Sequence, residues 1–492
     1  MTPMERTAPK PYAGRKIHFI GSGGCGMSGL AEFVLREGGE VSGSDMKPGA
    51  ACDKLIGLGA KIYIGHQAEN IPMGVDRVVA SAAIKQDNLE MIEARRRGVP
   101  VEKYAAFLGR IMQLRKGIAV SGTHGKTTTT AMVSYALRCA GMDPSFVIGA
   151  EVAQLGGGSF AGAGPHLVVE ACEYDRSFLN YNPCAAVILN IGEDHMDYYR
   201  DLDEIRGAFR DFVQGILPGG LLVIDGVDVG CREIAAASRV PVETFGIGGE
   251  FDWRAENLEA RDGRYTFDVY GKGVLFTSVR LPLAGRHHVL NALAAMALCR
   301  FVGADAEVVA RALGDFNGAS RRMELLGQAG GVTIVDDYAH HPTEICATLK
   351  AIKARFSPKR LWVVFQPHQH SRTRFLRKEF ALALALADKL VVPDIYFVRD
   401  SEKERQAISS QDLVGDIQRL GADALHISDF DSIRRYLVES LGPGDVLVTM
   451  GAGDIYRLAA PLLAELGNQA AQREADVAPP DHADTKPPKE AS

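Results

Sequence analysis

Short runs rich in apolar and β-branched residues alternate with segments of helical spacing along most of this sequence. In the first hundred residues such runs are Lys16–Ile20, Val41–Asp45, Lys61–Ile64 and Asp76–Ser81, and helical spacing lies between them, for example over Asn88–Arg97. Mostly apolar strands separated by helices are typical of a parallel sheet covered on both faces. The pattern predicts a small doubly wound domain that ends near residue 110.

The alternation resumes after residue 110 and predicts two further α/β domains. We expect strands at Gly117–Val120, His166–Val169 and Ala185–Leu189, then strands and tight turns from Leu221 to Arg280, and a helix at His288–Ala295. A third series of strands comprises Val332–Val335, Leu361–Phe365, Lys389–Val392 and Asp445–Met450. We predict an α/β fold of three domains: an N-terminal Rossmann-like domain over residues 16–110, a central, mostly parallel domain of the P-loop ATPase type over 111–325, and a C-terminal Rossmann-like α/β domain over 326–466.

Both ends of the chain lack a regular apolar pattern. Residues 1–15 are polar and contain proline, and residues 467–492 are rich in Gln, Ala, Pro and Lys. Neither segment has enough apolar surface to build a core. We expect a flexible N-terminal arm and a disordered C-terminal tail.

Composition limits the classes of protein to which this chain can belong. Of its 492 residues, 46% are hydrophobic and 24% are charged, and the net charge of −6 offers no basic surface for nucleic acid or an anionic membrane. No apolar stretch of about 18 residues is present, and the N-terminus lacks the apolar core of a signal peptide. The eight cysteines are scattered without paired metal-ligand spacing. These features indicate a cytoplasmic protein with reduced thiols.

The strongest functional signal is a glycine-rich turn between a strand and a helix. The turn follows Gly117–Val120 and consists of Gly122, Thr123, His124, Gly125, Lys126, Thr127 and Thr128. Its backbone N–H groups can close on a phosphate, while Lys126 suits the outer phosphates and the Thr127 hydroxyl suits a phosphate-bound Mg²⁺. Val120 stands where the full Walker A pattern has glycine, and a solvated glycine turn is the structural alternative. We predict a nucleoside triphosphate site here.

A second glycine-rich turn follows the first strand of the chain. Gly21, Gly23 and Gly26 form the pattern Gly-x-Gly-x-x-Gly, and Asp45 ends the next strand. The glycines let the backbone approach a diphosphate, and the acid suits a sugar hydroxyl. The pattern fits a dinucleotide cofactor and a nucleotide sugar equally well, and a turn that only packs helix against sheet is the structural alternative.

Acidic and histidine side chains follow two strands of the central domain. Glu170 follows His166–Val169, and Asp194 and His195 come soon after Ala185–Leu189. The carboxyl ends of parallel strands share one sheet edge, which also carries the phosphate loop. Mg²⁺ favours carboxylates together with phosphate oxygens, so Glu170 and His195 join the Thr127 hydroxyl as predicted metal ligands. A helix cap with a buried histidine is the structural alternative for the Asp-His pair.

Polar clusters follow two strands of the third domain. Asp336–Glu344 and Gln366–Arg374 each combine histidines with acidic or basic residues, which indicates a binding or catalytic site rather than a solvated loop. In the central domain, Asn291 lies in the predicted helix His288–Ala295. It could contact the edge of a base or cap the helix.

Taken in order from about Ile17 to Leu466, these stretches resemble the Mur ligases of bacterial cell-wall synthesis. The resemblance rests on Ile17–Ala31, Gly122–Thr128, Asn190–Asp197, Asp336–Pro342, Phe365–His368 and Met450–Gly453. It is closest to the branch that joins L-alanine to UDP-N-acetylmuramate. It implies a monomer or homodimer whose three domains hold the UDP-sugar, ATP with Mg²⁺, and the amino acid, and close to bring these substrates together.

The resemblance also implies a reaction and a set of site residues. The lactyl carboxylate attacks the γ-phosphate of ATP, and the amine of L-alanine then displaces phosphate from the acyl phosphate. The implied UDP-sugar residues are Gly21, Gly23, Gly24, Gly26, Met27, Asp45 and Ser81. Asn291 and Arg322 are implied to bind ATP together with the phosphate loop. The implied catalytic residues are Lys126, His195, His340, His368 and Arg372.

Three positions depart from the family pattern and leave alternatives open. His288 stands where asparagine is usual beside the adenine, Cys172 replaces an aspartate of the acidic stretch, and Gln369 replaces an arginine that would meet the amino-acid carboxylate. Glutamine does not reproduce a bidentate arginine contact, so the amino-acid preference stays open. One alternative is a recycling ligase that attaches a tripeptide to the same UDP-sugar. The other is an NAD(P)-dependent dehydrogenase, which would rest on the first glycine loop and Asp45 alone.

Overall fold

The computed structural model describes residues 10–477, which contain three β-sheets in two compact units. One unit extends to Arg322 and includes Lys350–Phe356, and the other holds Met323–Leu349 and the chain from Ser357 onwards. The first two sheets belong to the first unit, and the third sheet belongs to the second unit. The predicted three-domain α/β architecture is confirmed.

The N-terminal domain is a parallel sheet of five strands with the order β3-β2-β1-β4-β5. Its elements are β1 (Lys16–Ile20), α1 (Cys25–Arg36), β2 (Glu40–Asp45), α2 (Ala50–Gly57), β3 (Lys61–Ile64), β4 (Arg77–Ala80), α3 (Leu89–Arg96), β5 (Val101–Lys103) and α4 (Tyr104–Met112). The strand order reverses between β1 and β4, and ligands of such sheets bind beyond the strand ends at that point. The first glycine loop begins there, directly after β1.

The central domain is built on a sheet of ten strands with the order β15-β14-β13-β12-β11-β10-β6-β9-β7-β8. Its elements are β6 (Lys116–Ser121), α5 (Lys126–Cys139), β7 (Ser145–Val147), β8 (Ser159–Phe160), β9 (His166–Glu170), β10 (Ala185–Ile188), α6 (Leu202–Gln214), β11 (Leu221–Asp225), α7 (Val229–Ala235), β12 (Val242–Ile247), β13 (Trp253–Arg261), β14 (Arg264–Gly271), β15 (Val274–Leu281), α8 (Arg286–Phe301) and α9 (Ala306–Asp315). Strands β13 to β15 form an antiparallel meander at one end. Strand β6 pairs in parallel with β10 and β9, so the phosphate loop lies between their carboxyl ends.

Helices α5 and α8 pack together in the core of the central domain, and this packing positions the phosphate loop. Both are buried over most of their lengths, because their apolar and small residues occur on all sides of the helix. Helix α8 begins at Arg286, earlier than predicted, so Asn291 lies inside it and does not cap it.

The C-terminal domain has a six-stranded sheet with the order β16-β17-β21-β18-β19-β20. Its elements are β16 (Glu324–Ala329), β17 (Val332–Asp337), α10 (Pro342–Phe356), β18 (Leu361–Phe365), α11 (His370–Phe375), α12 (Arg377–Leu384), β19 (Lys389–Val392), α13 (Glu402–Ala407), α14 (Ser410–Arg419), β20 (Ala424–His426), α15 (Phe430–Ser440), β21 (Val446–Met450) and α16 (Ala459–Val477). Only β16 runs antiparallel to its neighbour, β17. The two polar clusters follow β17 and β18, on either side of β21.

Both terminal predictions need correction within the described residues. Tyr12, in the predicted flexible arm, is only 7% exposed and packs against Phe33 and Phe107. Helix α16 continues to Val477, although the disordered tail was expected from residue 467. Alanine, glutamine and glutamate favour helix, and the helix is anchored by buried leucines in its first half. Residues 1–9 and 478–492 of the predicted arm and tail lie outside the described residues.

Two further features concern the cysteines and the apolar character of the helices. All eight cysteines fall within the described residues, and all are free thiols. Between residues 10 and 477, no helix combines the length and the apolar character needed to cross a membrane.

Candidate active site

The phosphate loop joins β6 to α5 and is closely enclosed by neighbouring elements. Gly122 and Gly125 have φ angles of 135° and 86°, which favour glycine. A Cβ atom on Gly122 would lie 3.0 Å from the backbone nitrogen of Leu189, and one on Gly125 would lie 2.8 Å from Oδ1 of Asn291. The glycines therefore satisfy both the backbone geometry and the space available.

Asn190, directly after β10, holds the loop in this conformation. Its Oδ1 accepts a hydrogen bond from the His124 N–H at 2.8 Å, and its Nδ2 donates to the His124 carbonyl at 3.1 Å. Its own carbonyl accepts from the Thr123 N–H at 3.0 Å, and the Thr123 hydroxyl accepts from the Gly192 N–H at 2.8 Å. The loop is thus held by hydrogen bonds to the segment that follows β10. The sequence motif contained Asn190, but we had assigned it no role.

Lys126 is the first residue of α5, and its ammonium group turns back over the loop. Nζ donates to the carbonyls of Gly122 at 2.6 Å and Thr123 at 3.0 Å, and lies 2.9 Å from Oε2 of Glu173. The side chains of Lys126 and Glu173 are 11% and 3% exposed. Burial is the largest single influence and would lower the pKa of Lys126, but Glu173 and its neighbours Cys172 and Glu170 together outweigh burial and raise the pKa above its usual value. A buried ion pair therefore lies across the predicted phosphate loop.

Thr127 and Glu170, two of the three predicted metal ligands, are in direct contact. The Thr127 hydroxyl donates to Oε1 of Glu170 at 3.1 Å, and the Gly149 N–H donates to Oε2 at 2.8 Å. An Nη of Arg322 donates to the Thr127 hydroxyl at 3.3 Å. A hydroxyl and a carboxylate are hard oxygen donors, so these residues fit Mg²⁺.

His195, the third predicted metal ligand, lies beside a different carboxylate. Its Nε2 is 3.8 Å from Oε1 of Glu173, and its ring packs against Tyr174 with a centroid separation of 5.0 Å. Its φ angle of 57° is uncommon for a residue other than glycine. His195 is therefore held at the same sheet edge as the phosphate loop, but the Glu173 contact was not foreseen.

The remaining predicted ATP residues surround the loop within the first unit. Thr128 is buried in the first turn of α5, and Asn291 reaches Gly125 from α8. On the same helix, His288 is buried, and its pKa lies well below the usual value because of burial and the nearby charges of His287 and Arg322. A neutral imidazole therefore stands where the family pattern has an asparagine.

Asp45 holds the first glycine loop from the end of β2. Its Oδ2 accepts from the Gly23 N–H at 2.8 Å, and a Cβ on Gly23 would lie 2.9 Å from the same oxygen. A Cβ on Gly26 would lie 2.6 Å from the Tyr104 hydroxyl. The hydrogen bond from Gly23 gives Asp45 a structural role in addition to the predicted sugar contact.

Two other predicted UDP-sugar residues occupy different environments. Ser81 follows β4, and a Cβ on Gly21 would lie 3.0 Å from its Cβ, so both residues lie where the strand order reverses. Gly24 caps α1 from the same loop. Met27 is 3% exposed and packs in the hydrophobic core, because it lies on the inner face of α1. The side chain of Met27 is therefore turned into the core, and its role at the UDP-sugar stays a prediction.

The C-terminal unit brings two of its predicted histidines together. The rings of His340 and His368 have centroids 6.2 Å apart, and His368 stacks on Tyr396 at 5.5 Å. Nδ1 of His340 lies 3.0 Å from the Tyr338 carbonyl. The polar ends of β17 and β18 therefore form one cluster in this domain.

Arg372 and Arg374 lie on the short helix α11 of the same domain. Arg374 donates from Nε and an Nη to Glu404, both at 3.2 Å. Gln369, just before the helix, is 1% exposed and has a φ angle of 71°. Arg374 is thus paired with an acidic side chain of the protein.

Three family models match consecutive parts of the chain. The catalytic domain of the Mur ligase family matches residues 16–116, the Mur ligase middle domain matches 120–299, and the glutamate ligase domain of Mur ligases matches 321–453. The chain belongs to the Mur ligase family. The resemblance drawn from the sequence is confirmed.

Individual relatives of this Mur ligase cover nearly all of it. A UDP-N-acetylmuramate–L-alanine ligase of Caldanaerobacter subterraneus subsp. tengcongensis is 42% identical over 453 residues, 92% of this chain and 98% of that protein. The crystal structure of a UDP-N-acetylmuramate–alanine ligase from Thermotoga maritima superposes with a TM-score of 0.74 at 29% identity, covering 94% of this chain and 99% of that one. That of a murein peptide ligase from Psychrobacter arcticus gives 0.68 at 27% identity, covering 92% and 99%.

Membership of the family removes one of the two alternatives. In a dehydrogenase the first glycine loop would bind the cofactor, but the phosphate loop, Glu170 and His195 would have no function. The middle-domain model spans all three of these features. This Mur ligase is therefore not interpreted as a dehydrogenase.

Proposed function

We propose that this Mur ligase joins L-alanine to the lactyl carboxylate of UDP-N-acetylmuramate, with conversion of ATP to ADP and phosphate. The observation that carries the proposal is the preformed phosphate loop, with Lys126 across it and Thr127 in contact with Glu170. The Caldanaerobacter and Thermotoga relatives, each matched over more than nine-tenths of the chain, bear the name of this activity. A cytoplasmic location and a monomeric or homodimeric state remain predictions.

ATP is assigned to the loop between β6 and α5. Backbone N–H groups at the start of α5 and the positive end of that helix favour phosphate oxygens. Asn291 and Arg322, which reach Gly125 and Thr127, are assigned to the nucleotide. Thr127, Glu170 and His195 would hold Mg²⁺, which when bound supplies positive charge to the phosphates. Phosphate binding would draw Lys126 away from Glu173.

The UDP-sugar is assigned to the first glycine loop. Gly21, Gly23, Gly24 and Gly26 would face its diphosphate, with Asp45 and Ser81 at the edge of the site. The switch in strand order between β1 and β4 supports this assignment, because such crevices bind phosphorylated ligands.

The chemistry proceeds in two substitutions. An oxygen of the lactyl carboxylate attacks the γ-phosphorus, the bond from phosphorus to the bridging oxygen breaks, and ADP leaves. Lys126 stabilises the negative charge on the transferring phosphoryl group. The neutral amine of L-alanine then attacks the acyl carbon, the carbon–oxygen bond to phosphate breaks, and the nitrogen loses a proton. We assign His340 and His368 to the amine and its proton, and Arg372 to the carboxylate of the amino acid.

The experiment that tests this proposal measures phosphate release from Mg-ATP and UDP-N-acetylmuramate. L-alanine, glycine, L-serine and the recycling tripeptide are offered separately, and the products are identified by mass. We expect release that depends on L-alanine. Dependence on the tripeptide would favour the recycling ligase, and no release with any amine would overturn the ligase assignment.

A further inference from the structure

Three chemically different metal-ligating side chains converge beside the phosphate loop. The ligand atoms of Cys172, Glu173 and His195 all lie within 4.8 Å of one another. Glu173 is 3% exposed, and the imidazole of His195 is 15% exposed. The side chains are thus gathered in a small, largely buried space.

The sulfur atom distinguishes this cluster from the oxygen donors assigned to Mg²⁺. Thiolate and imidazole favour Zn²⁺ and similar cations, whereas Mg²⁺ favours carboxylate, hydroxyl and phosphate oxygens. Tetrahedral ligand atoms about 2.0–2.3 Å from zinc are roughly 3.5 Å apart, so a cation would require only a modest inward movement of the three side chains. A water molecule would supply the fourth ligand.

We propose that Cys172, Glu173 and His195 form a site for a thiophilic divalent cation such as Zn²⁺, and that Lys126 competes with this cation for Glu173. On binding, the sulfur–metal bond forms as the thiol proton passes to solvent. The 2.9 Å contact between Nζ of Lys126 and Glu173 must break as well.

Occupation of this site has a consequence for the ligase, and this part rests on the proposed function. His195 is assigned to Mg²⁺ in the reaction, and the thiophilic cation would hold the same imidazole. Zn²⁺ should therefore inhibit phosphate release. Replacement of Cys172 by aspartate, the residue usual in the family, should relieve the inhibition.

Cobalt(II) provides a direct test on the full chain without substrates, because cobalt–thiolate ligation produces a charge-transfer absorption band. We expect the band in the wild-type protein and its loss in Cys172→Ser. The matched control Cys139→Ser removes an exposed cysteine at the end of α5 and should keep the band. Lys126→Met should tighten cobalt binding, because it removes the competing ammonium group.

The outcomes separate the site from its effect on the reaction. Absence of the band in the wild-type protein, or its persistence in Cys172→Ser, would overturn the site. Unchanged cobalt affinity in Lys126→Met would overturn the competition. In the activity arm, Cys172→Asp should require at least ~10-fold more Zn²⁺ for half-inhibition, since even indirect ligand partners affect metal affinity by this much. A normal cobalt band without inhibition by Zn²⁺ would support the site and refute its effect on the ligase.

Discussion

Replacement of Glu173 by glutamine isolates the energy of the buried ion pair across the phosphate loop. The substitution keeps the size of the side chain and removes its charge. Breaking a buried pair by removing one partner costs about 3–5 kcal/mol. Lys126 keeps its hydrogen bonds to the carbonyls of Gly122 and Thr123, so we expect the lower end, about 3 kcal/mol. For a domain of about 200 residues, this corresponds to a fall in Tm of roughly 6–12 °C.

Nucleotide should reduce this loss of stability. In the wild-type protein, ATP must take Lys126 from Glu173, whereas in Glu173→Gln the ammonium group has no carboxylate partner to leave. The rise in Tm on adding Mg-ATP should therefore be larger in the variant. Thermal unfolding followed by circular dichroism or calorimetry, with and without Mg-ATP, measures both quantities.

An exposed ion pair supplies the matched control for this experiment. Lys16 and Glu40 lie 3.4 Å apart with side chains 47% and 67% exposed, so Glu40→Gln should change stability by less than ~1 kcal/mol. Equal stability of Glu173→Gln and the wild-type protein would refute the energetic reasoning. An equal rise in Tm with Mg-ATP in both proteins would refute the transfer of Lys126 from carboxylate to phosphate.

Four further predictions concern separate parts of the molecule. Lys126→Ala should abolish phosphate release but leave UDP-sugar binding unchanged by calorimetry, since that ligand is assigned to another domain; lost sugar binding in a folded variant would contradict the assignment. Asp45→Ala removes the acceptor of a loop N–H and should weaken UDP-sugar binding by roughly 10-fold or more, as for a lost charge-assisted hydrogen bond; unchanged affinity would count against the loop's role. Arg372→Lys should raise KM for the amino acid about 10-fold or more while Arg374→Lys changes it little, because lysine cannot reproduce a bidentate contact; equal effects would refute the choice between them. The pKa of His288 is depressed in the folded protein, so as the pH falls below about 6.5 only the unfolded chain takes up a proton at this residue, and the free energy of unfolding should fall by up to ~1.4 kcal/mol per pH unit. In His288→Asn, this part of the pH dependence should be missing when unfolding is measured from pH 7 to 5. The same dependence of stability on pH in both proteins would refute the buried neutral imidazole.

Local patterns in the sequence were enough to predict most strands of the three sheets and the phosphate loop. Apolar runs before Gly21 and Gly122 gave the correct strand-to-helix turns, because glycine and strand patterning act over a few residues. The contact between Thr127 and Glu170 also followed, since the ends of adjacent parallel strands share a sheet edge.

Other features depend on packing between distant residues and could not be predicted from such patterns. The pairing of Lys126 with Glu173 joins residues that are 47 positions apart, and either acid of the Glu-x-x-Glu stretch could have faced the loop. The burial of Met27 depends on the rotation of α1 against the core. The length of α16 is set by helix propensity in a segment whose composition alone indicated disorder.

Oxygen transfer from the lactyl carboxylate to phosphate is the most direct test of the central claim, that this Mur ligase activates a carboxylate with ATP and transfers it to L-alanine. UDP-N-acetylmuramate labelled with ¹⁸O in both carboxylate oxygens is incubated with Mg-ATP and L-alanine, and the released phosphate is examined by mass spectrometry. The account predicts one ¹⁸O atom in each phosphate, formed in step with the alanyl product. Unlabelled phosphate accompanying that product would contradict the acyl-phosphate route, and phosphate formed without any alanyl product would contradict the ligase itself.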